Sequence, residues 1–225
     1  MSPNSDPKPV PRTGRARLSR EVVLREAMEV ADQVGLQGMS MHAIGRGLGV
    51  EAMSLYRHVR NKEDILDGIA DLVYAEIELV GDDADWRTVM RRRAISIREA
   101  LARHPWAVDL MESRSTPGPA NLRHHDATLA VLRRAGFSSV MATHAYNLLD
   151  SYIYGFALQE RTLPVATPET LAEVGSILIG SLPADEYPDL IAVGTDLMAS
   201  GFNYGAEFDF GLGLILDALD RQPRA

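Results

Sequence analysis

The residues best equipped for chemistry stand close together in GRGLGVEAMSLYRHVRNKEDIL, residues 45 to 66. Ser54 is followed by a phenol, a guanidinium and an imidazole in succession at Tyr56, Arg57 and His58, then by an ammonium at Lys62. Hydroxyl, phenol and imidazole donate hydrogen bonds to phosphate oxygens, and the ammonium adds a point charge. The planar fork of Arg57 fits either a phosphate or a guanine edge. This is the chemistry of gripping a polyanion.

Such side chains act together only if a short element presents them on one face. On a helix from about Glu51 to His58, Met53, Tyr56 and Arg57 share one side while Leu55 and Val59 share the other, so the apolar pair faces inward. Before it, Ser40 caps a short helix to about Gly47, and Gly49 supplies a residue that takes positive φ without steric cost. Further back, Ser19 caps a helix with Val23, Ala27, Val30, Ala31 and Val34 on its apolar stripe and Gly35 at its end. Asn61 opens the following helix, with Glu63 and Asp64 in its first turn and Ile65, Ile69, Leu72 and Val73 as its buried stripe. Residues 19 to 64 therefore predict a helix-turn-helix domain, whose second helix is short enough to enter a major groove. An αα-hairpin with a solvated basic rim has the same pattern.

Charge is divided along the chain. The net charge is −8, but residues 1 to 62 carry 10 Lys/Arg against 6 Asp/Glu, and residues 63 to 225 carry 13 against 25. A basic head and an acidic remainder are different objects. Residues 1 to 18, rich in Pro and Arg, read as a disordered basic arm. The N-terminus lacks the apolar core of a secretory signal, there is no cysteine, and no apolar run approaches the ~18 residues of a membrane span. The expected location is the cytoplasm, with no membrane partner.

The remainder, residues 65 to 225, has helical periodicity over Trp86 to about Arg103, about Pro119 to Ala135, about Ser138 to Arg161 and Tyr204 to Asp220, and no alternating strand pattern. The expected class is all-α. No His-Glu-x-x-His helix or nucleophile elbow occurs, and GLGLILDAL is not followed by the Lys-Ser/Thr of a phosphate loop. His124, His125 and Asp126 suggest a metal, but consecutive helical residues splay about 100° apart. No enzyme, cofactor or metal site is expected.

Residues 19 to about 66 resemble the DNA-binding domain of the tetracycline-repressor (TetR) family, in which a Gly-containing turn precedes L-Y-x-H-[FV]-x-x-K. Leu55, Tyr56, His58, Val59, Asn61 and Lys62 match that pattern. More loosely, Trp86, Gly136 with Phe137, Gly155 and FDFGLGLILDAL resemble the C-terminal domain of the tetracycline-repressor class. The resemblance implies an all-helical homodimer on a roughly palindromic operator, acting as a repressor that a small organic effector releases; a regulator without an effector is the alternative. It puts Ala52, Met53 and Arg57 at base-reading positions and Ser40 and His42 at the start of the preceding helix.

The resemblance also implies an effector pocket lined by Arg93, Trp106, Met111, His125, Thr128, Tyr146 and Asp150. It implies a four-helix dimer interface involving Leu149, Tyr152, Phe156, Phe208, Leu212, Ile215, Leu216 and Leu219. The magnesium- and drug-contacting His, Asn, His and Glu of tetracycline-binding members fall on Glu78, Arg93, Met111 and Gln159. That set suits neither a hard cation nor a magnesium-bound drug.

Overall fold

The computed structural model describes residues 17–79, 85–113, 116–162, 168–201 and 203–224. The expected basic arm, apart from residues 17 and 18, lies outside them. Every regular element among the described residues is an α-helix: α1 (Arg20–Gly38), α2 (Met41–Leu48), α3 (Ala52–Leu55), α4 (Lys62–Glu76), α5 (Trp86–Arg103), α6 (Ala107–Ser113), α7 (Pro119–Arg134), α8 (Ser139–Thr162), α9 (Pro168–Ser181), α10 (Pro188–Ala199) and α11 (Tyr204–Asp220). The chain divides into two compact units, residues 1–69 and 70–225, so the division falls inside α4, beyond the expected 64/65 boundary.

In the first unit the caps form as their residue types dictate. Ser19 Oγ accepts from the Val22 N–H and Ser40 Oγ from the Ala43 N–H, at 3.3 and 3.2 Å. Gly35 breaks the α1 geometry at φ 70°, ψ 169°, and Gly49 ends α2 at φ 63°. Val23, Ala27, Val30 and Ala31 are buried, but Val34 is exposed, because the helix approaches its Gly35 break there. The second helix is also shorter than expected. Regular helix α3 stops at Leu55, and residues 56–58 form a turn in which the His58 and Val59 N–H groups both donate to the Leu55 carbonyl.

The second unit is organised around α8, which packs against α5, α6, α7 and α11. Three helices, α6, α9 and α10, are additional to the four segments that periodicity marks. The α9 and α10 pair pack on each other and leave Ile177, Leu178, Leu190 and Val193 exposed.

Most of the residues expected at a dimer interface pack within the protomer. Leu149, Phe208, Leu212, Leu216 and Leu219 are buried within the protomer, and Tyr152 and Phe156 are partly so. Tyr152 stacks on Phe208 at 5.5 Å, and Phe156 meets Phe208 edge-on at 5.1 Å. These apolar stripes face each other in one chain, and Ile215 lies at their edge, half-buried. The large apolar side chains that α8 and α11 leave exposed are a different set: Val140, Leu148, Leu158, Phe210 and Leu214.

Candidate functional site

Two places combine accessible polar groups with a framework that fixes them. In the first unit, burial of Leu55 and Val59 turns the opposite side of α3 outward, so Met53 and Tyr56 are 76% and 48% exposed. Ala52, Ser54 and His58 are half-buried, while His42 and Arg57 are exposed. The close approach of α2 to the turn is set by Gly45. A Cβ there would stand 2.8 Å from the Val50 carbonyl oxygen, whose own N–H donates back to Gly45.

The basic groups of this unit fall into two sets. Arg20 and Arg60 are committed to Asp64, which is buried, at 2.8 and 3.4 Å. The Arg20 hydrogen bond, against the opposing effect of burial and with help from the Arg60 N–H, holds the Asp64 carboxyl down to about 2. Arg46 and Arg57 carry no acidic partner among the described residues. Lys62 Nζ reaches the Leu36 carbonyl at 3.5 Å, and Asn61 Oδ1 accepts from the Asp64 N–H at 2.8 Å. The first turn of α4 is thus partly capped by its own chain.

In the second unit a cavity of about 740 Å³ opens between α4, α6, α7 and α8. Of the seven residues expected to line it, His125, Tyr146 and Asp150 do so. Arg93 and Thr128 instead border a separate void of about 10 Å³, room for about one water. Trp106 and Met111 are buried elsewhere, with Trp106 tilted against His104. Tyr74, Asn121, Asn147 and Tyr154 line the cavity and were not expected. The i, i+4, i+8 spacing of Tyr146, Asp150 and Tyr154 along α8 is the signal that marks this wall in the sequence; Tyr74 belongs to α4, where the apolar stripe is the stronger pattern.

His125 stacks on Tyr146 at 4.1 Å and 15°, and the Tyr74 and Tyr154 hydroxyls meet at 3.3 Å. Burial, aided by Asp150 for Tyr146 and by Tyr74 for Tyr154, raises both phenols, so they stay protonated. Behind the wall Arg93 donates to Asp150 at 2.7 Å and lies over the Tyr146 ring at 5.2 Å. Burial works against the Arg93 charge and Asp150 more than restores it.

The cavity is also tied to α4. The Asp71 carboxylate accepts from the Ala120 and Asn121 N–H groups at 2.8 and 3.0 Å, capping α7, whose own cap residue Gly118 has no side chain to offer. His124 points away from His125 and contacts the Ile77 carbonyl at 2.9 Å. The two imidazoles therefore serve different sites, as consecutive helical residues must.

A helix-turn-helix head followed by a helical unit with an organic-sized cavity defines a DNA-binding transcriptional regulator. The chain belongs to the tetR family of bacterial regulatory proteins: residues 23–69 match that family's N-terminal domain, and residues 81–222 match the tetracyclin repressor-like C-terminal domain. It is 30% identical over 230 residues to the HTH-type transcriptional repressor DrrR1 of Streptomyces coeruleorubidus, covering 97% of this chain and 80% of that one. It is 28% identical over 211 residues to the class C tetracycline repressor protein of Escherichia coli, covering 91% and 92%. Among solved structures, ActR of Streptomyces coelicolor in complex with actinorhodin aligns with a TM-score of 0.75 at 24% identity, over 91% of this chain and 97% of that one.

Proposed function

We propose that this chain is a homodimeric repressor that holds operator DNA through residues of α2, α3 and the start of α4, and lets go when a small organic molecule enters the 740 Å³ cavity of its second unit. The observation that carries the reading is the pairing of an outward Tyr56–Arg57–His58 face with a cavity of aromatic and amide groups on a scaffold of this family. Ser40, His42 and Lys62 complete the phosphate contacts, while Ala52, Met53, Ser54 and Arg57 face the bases. An effector of mixed aromatic and polar character suits the His125–Tyr146 stack, the Tyr154 hydroxyl and Asn147. Magnesium plays no part in that binding. Val140, Leu148, Phe210 and Leu214, left uncovered on α8 and α11, support a homodimer contact there. The protein works in the cytoplasm, where its operator is, and is not an enzyme.

The same molecule must obey linkage: an effector that weakens operator binding is itself weakened by the operator by the same factor. The test is selection of bound duplexes from a random DNA pool by the purified protein, with its mass in solution recorded. An inverted repeat bound by a dimer is the expected result. Absence of any enriched sequence at low and moderate salt overturns the reading. Tyr56→Ala with Lys62→Ala should weaken binding to the enriched duplex and flatten its salt dependence, because phosphate contacts carry much of the affinity.

A further inference from the structure

Met53 is the most exposed of the large apolar side chains described, at 76%. A single exposed apolar residue is ordinary on a protein surface, so its neighbours decide its meaning. Leu55 and Val59 are buried and fix which side of α3 faces out. The Ser54 hydroxyl donates to the Glu51 carbonyl at 2.6 Å, which commits its proton locally. Ala52 has no polar side-chain atom. The first turn of α3 therefore presents a methyl and a thioether, and charge returns only at Arg57, four residues beyond Met53.

In the major groove the four bases differ in donors and acceptors, but only thymine carries a methyl, at C5. An unbranched, polarisable thioether packs well on such a group. We propose that Met53 reads a thymine methyl in each half-site, so that this chain selects A·T at that position by apolar contact rather than by a hydrogen bond. The inference rests on the reading of the first unit as the DNA-binding head, and it adds which base edge the head prefers and which side chain sets that preference.

The test uses the full-length protein and the duplex it enriches from a random pool, with each dT replaced in turn by dU, which removes one methyl and leaves base pairing intact. Wild-type protein should bind about fourfold more weakly when one particular dT in either half-site is replaced, the effect of removing one methyl-sized apolar contact. Met53→Ala should bind the dT and dU versions of that position equally, and Met53→Leu should keep the discrimination. Because Met53 is exposed, the fold of both variants should survive, which far-ultraviolet circular dichroism checks. Equal binding of dU and dT by wild type at every position overturns the inference while leaving the head's role standing. So does a Met53→Ala variant that still discriminates. Failure to enrich any duplex overturns both.

Discussion

Arg93 of α5 and Asp150 of α8 face each other at 2.7 Å, the guanidinium almost wholly withdrawn from water and its Nε without a hydrogen-bond partner. Asp150 also borders the cavity, so this ion pair forms part of its wall. Removing one partner leaves the other charge buried and uncompensated. Asp150→Asn should therefore destabilise the second unit by about 3 kcal/mol, whereas Arg93→Met with Asp150→Leu should cost much less, because no buried charge is left behind. Urea unfolding followed by tyrosine and tryptophan fluorescence measures both. A single variant as stable as the double would show that water reaches the pair.

Asp64 gives the first unit a pH dependence of known sign. Its carboxyl is held at about 2 against an ordinary 3.8, so its contribution is complete above pH 3.8 and is lost as pH falls through about 2. The gain is about 1 kcal/mol, since Arg20 and Arg60 both remain well exposed to solvent screening. Asp64→Asn should remove that increment at neutral pH and flatten the acid limb between those values. Amide hydrogen exchange of residues 20–69 against pH is the measurement; an unchanged acid limb would remove Asp64 from the account.

Gly45 sets how closely α2 approaches the turn before α3. A Cβ there meets backbone atoms of Val50 and Ala52 at 2.8 to 3.3 Å, and backbone cannot swing aside as a side chain can. Gly45→Ala should destabilise the first unit by about 1 to 3 kcal/mol through overpacking, despite alanine's better helix propensity. It should also lower affinity for the enriched duplex by displacing α3. Gly155→Ala, on a helix with open space around the new methyl, is the matched control and should leave duplex binding unchanged. Equal duplex affinity for both variants would mean that α3 tolerates the shift.

The head was legible because its signals are local. Ser19, Ser40 and Asn61 cap within three residues of themselves, Gly35 and Gly49 take the positive φ that only glycine adopts freely, and Leu55 with Val59 mark an inner face on their own. The cavity was half legible. His125, Tyr146 and Asp150 line it, but Trp106 and Met111 do not, since an aromatic or thioether on an apolar stripe looks the same whether its neighbour is a void or another side chain. The apolar faces of α8 and α11 are ambiguous for a related reason. A wide apolar face on α8 and another on α11 identify two surfaces that must be covered, yet periodicity does not say whether the cover comes from the same chain, as it does for Leu149, Phe208 and Leu212. Helices α9 and α10 are not marked by periodicity, because their described apolar side chains are largely exposed and give no clean stripe.

Gly155 offers the most direct way to separate the cavity from the DNA-binding head. It lies on α8 at the cavity wall, and a Cβ added there meets nothing within 4 Å. A phenylalanine at this position adds bulk at the cavity wall, starting from a Cβ that has open space around it. Gly155→Phe should keep the wild-type affinity for the enriched duplex, while any organic compound that releases wild-type protein from that duplex should lose potency by about tenfold or more, the loss of roughly 1.4 kcal/mol of contact. Fluorescence anisotropy of the labelled duplex, titrated with releasing compounds from a panel of aromatic molecules, reads both quantities in one experiment. Equal potency on the two proteins would locate the effector outside this cavity. Loss of duplex affinity before any compound is added would instead mean that occupancy of the cavity alone is enough to shift the head, with the phenyl ring acting as a tethered effector.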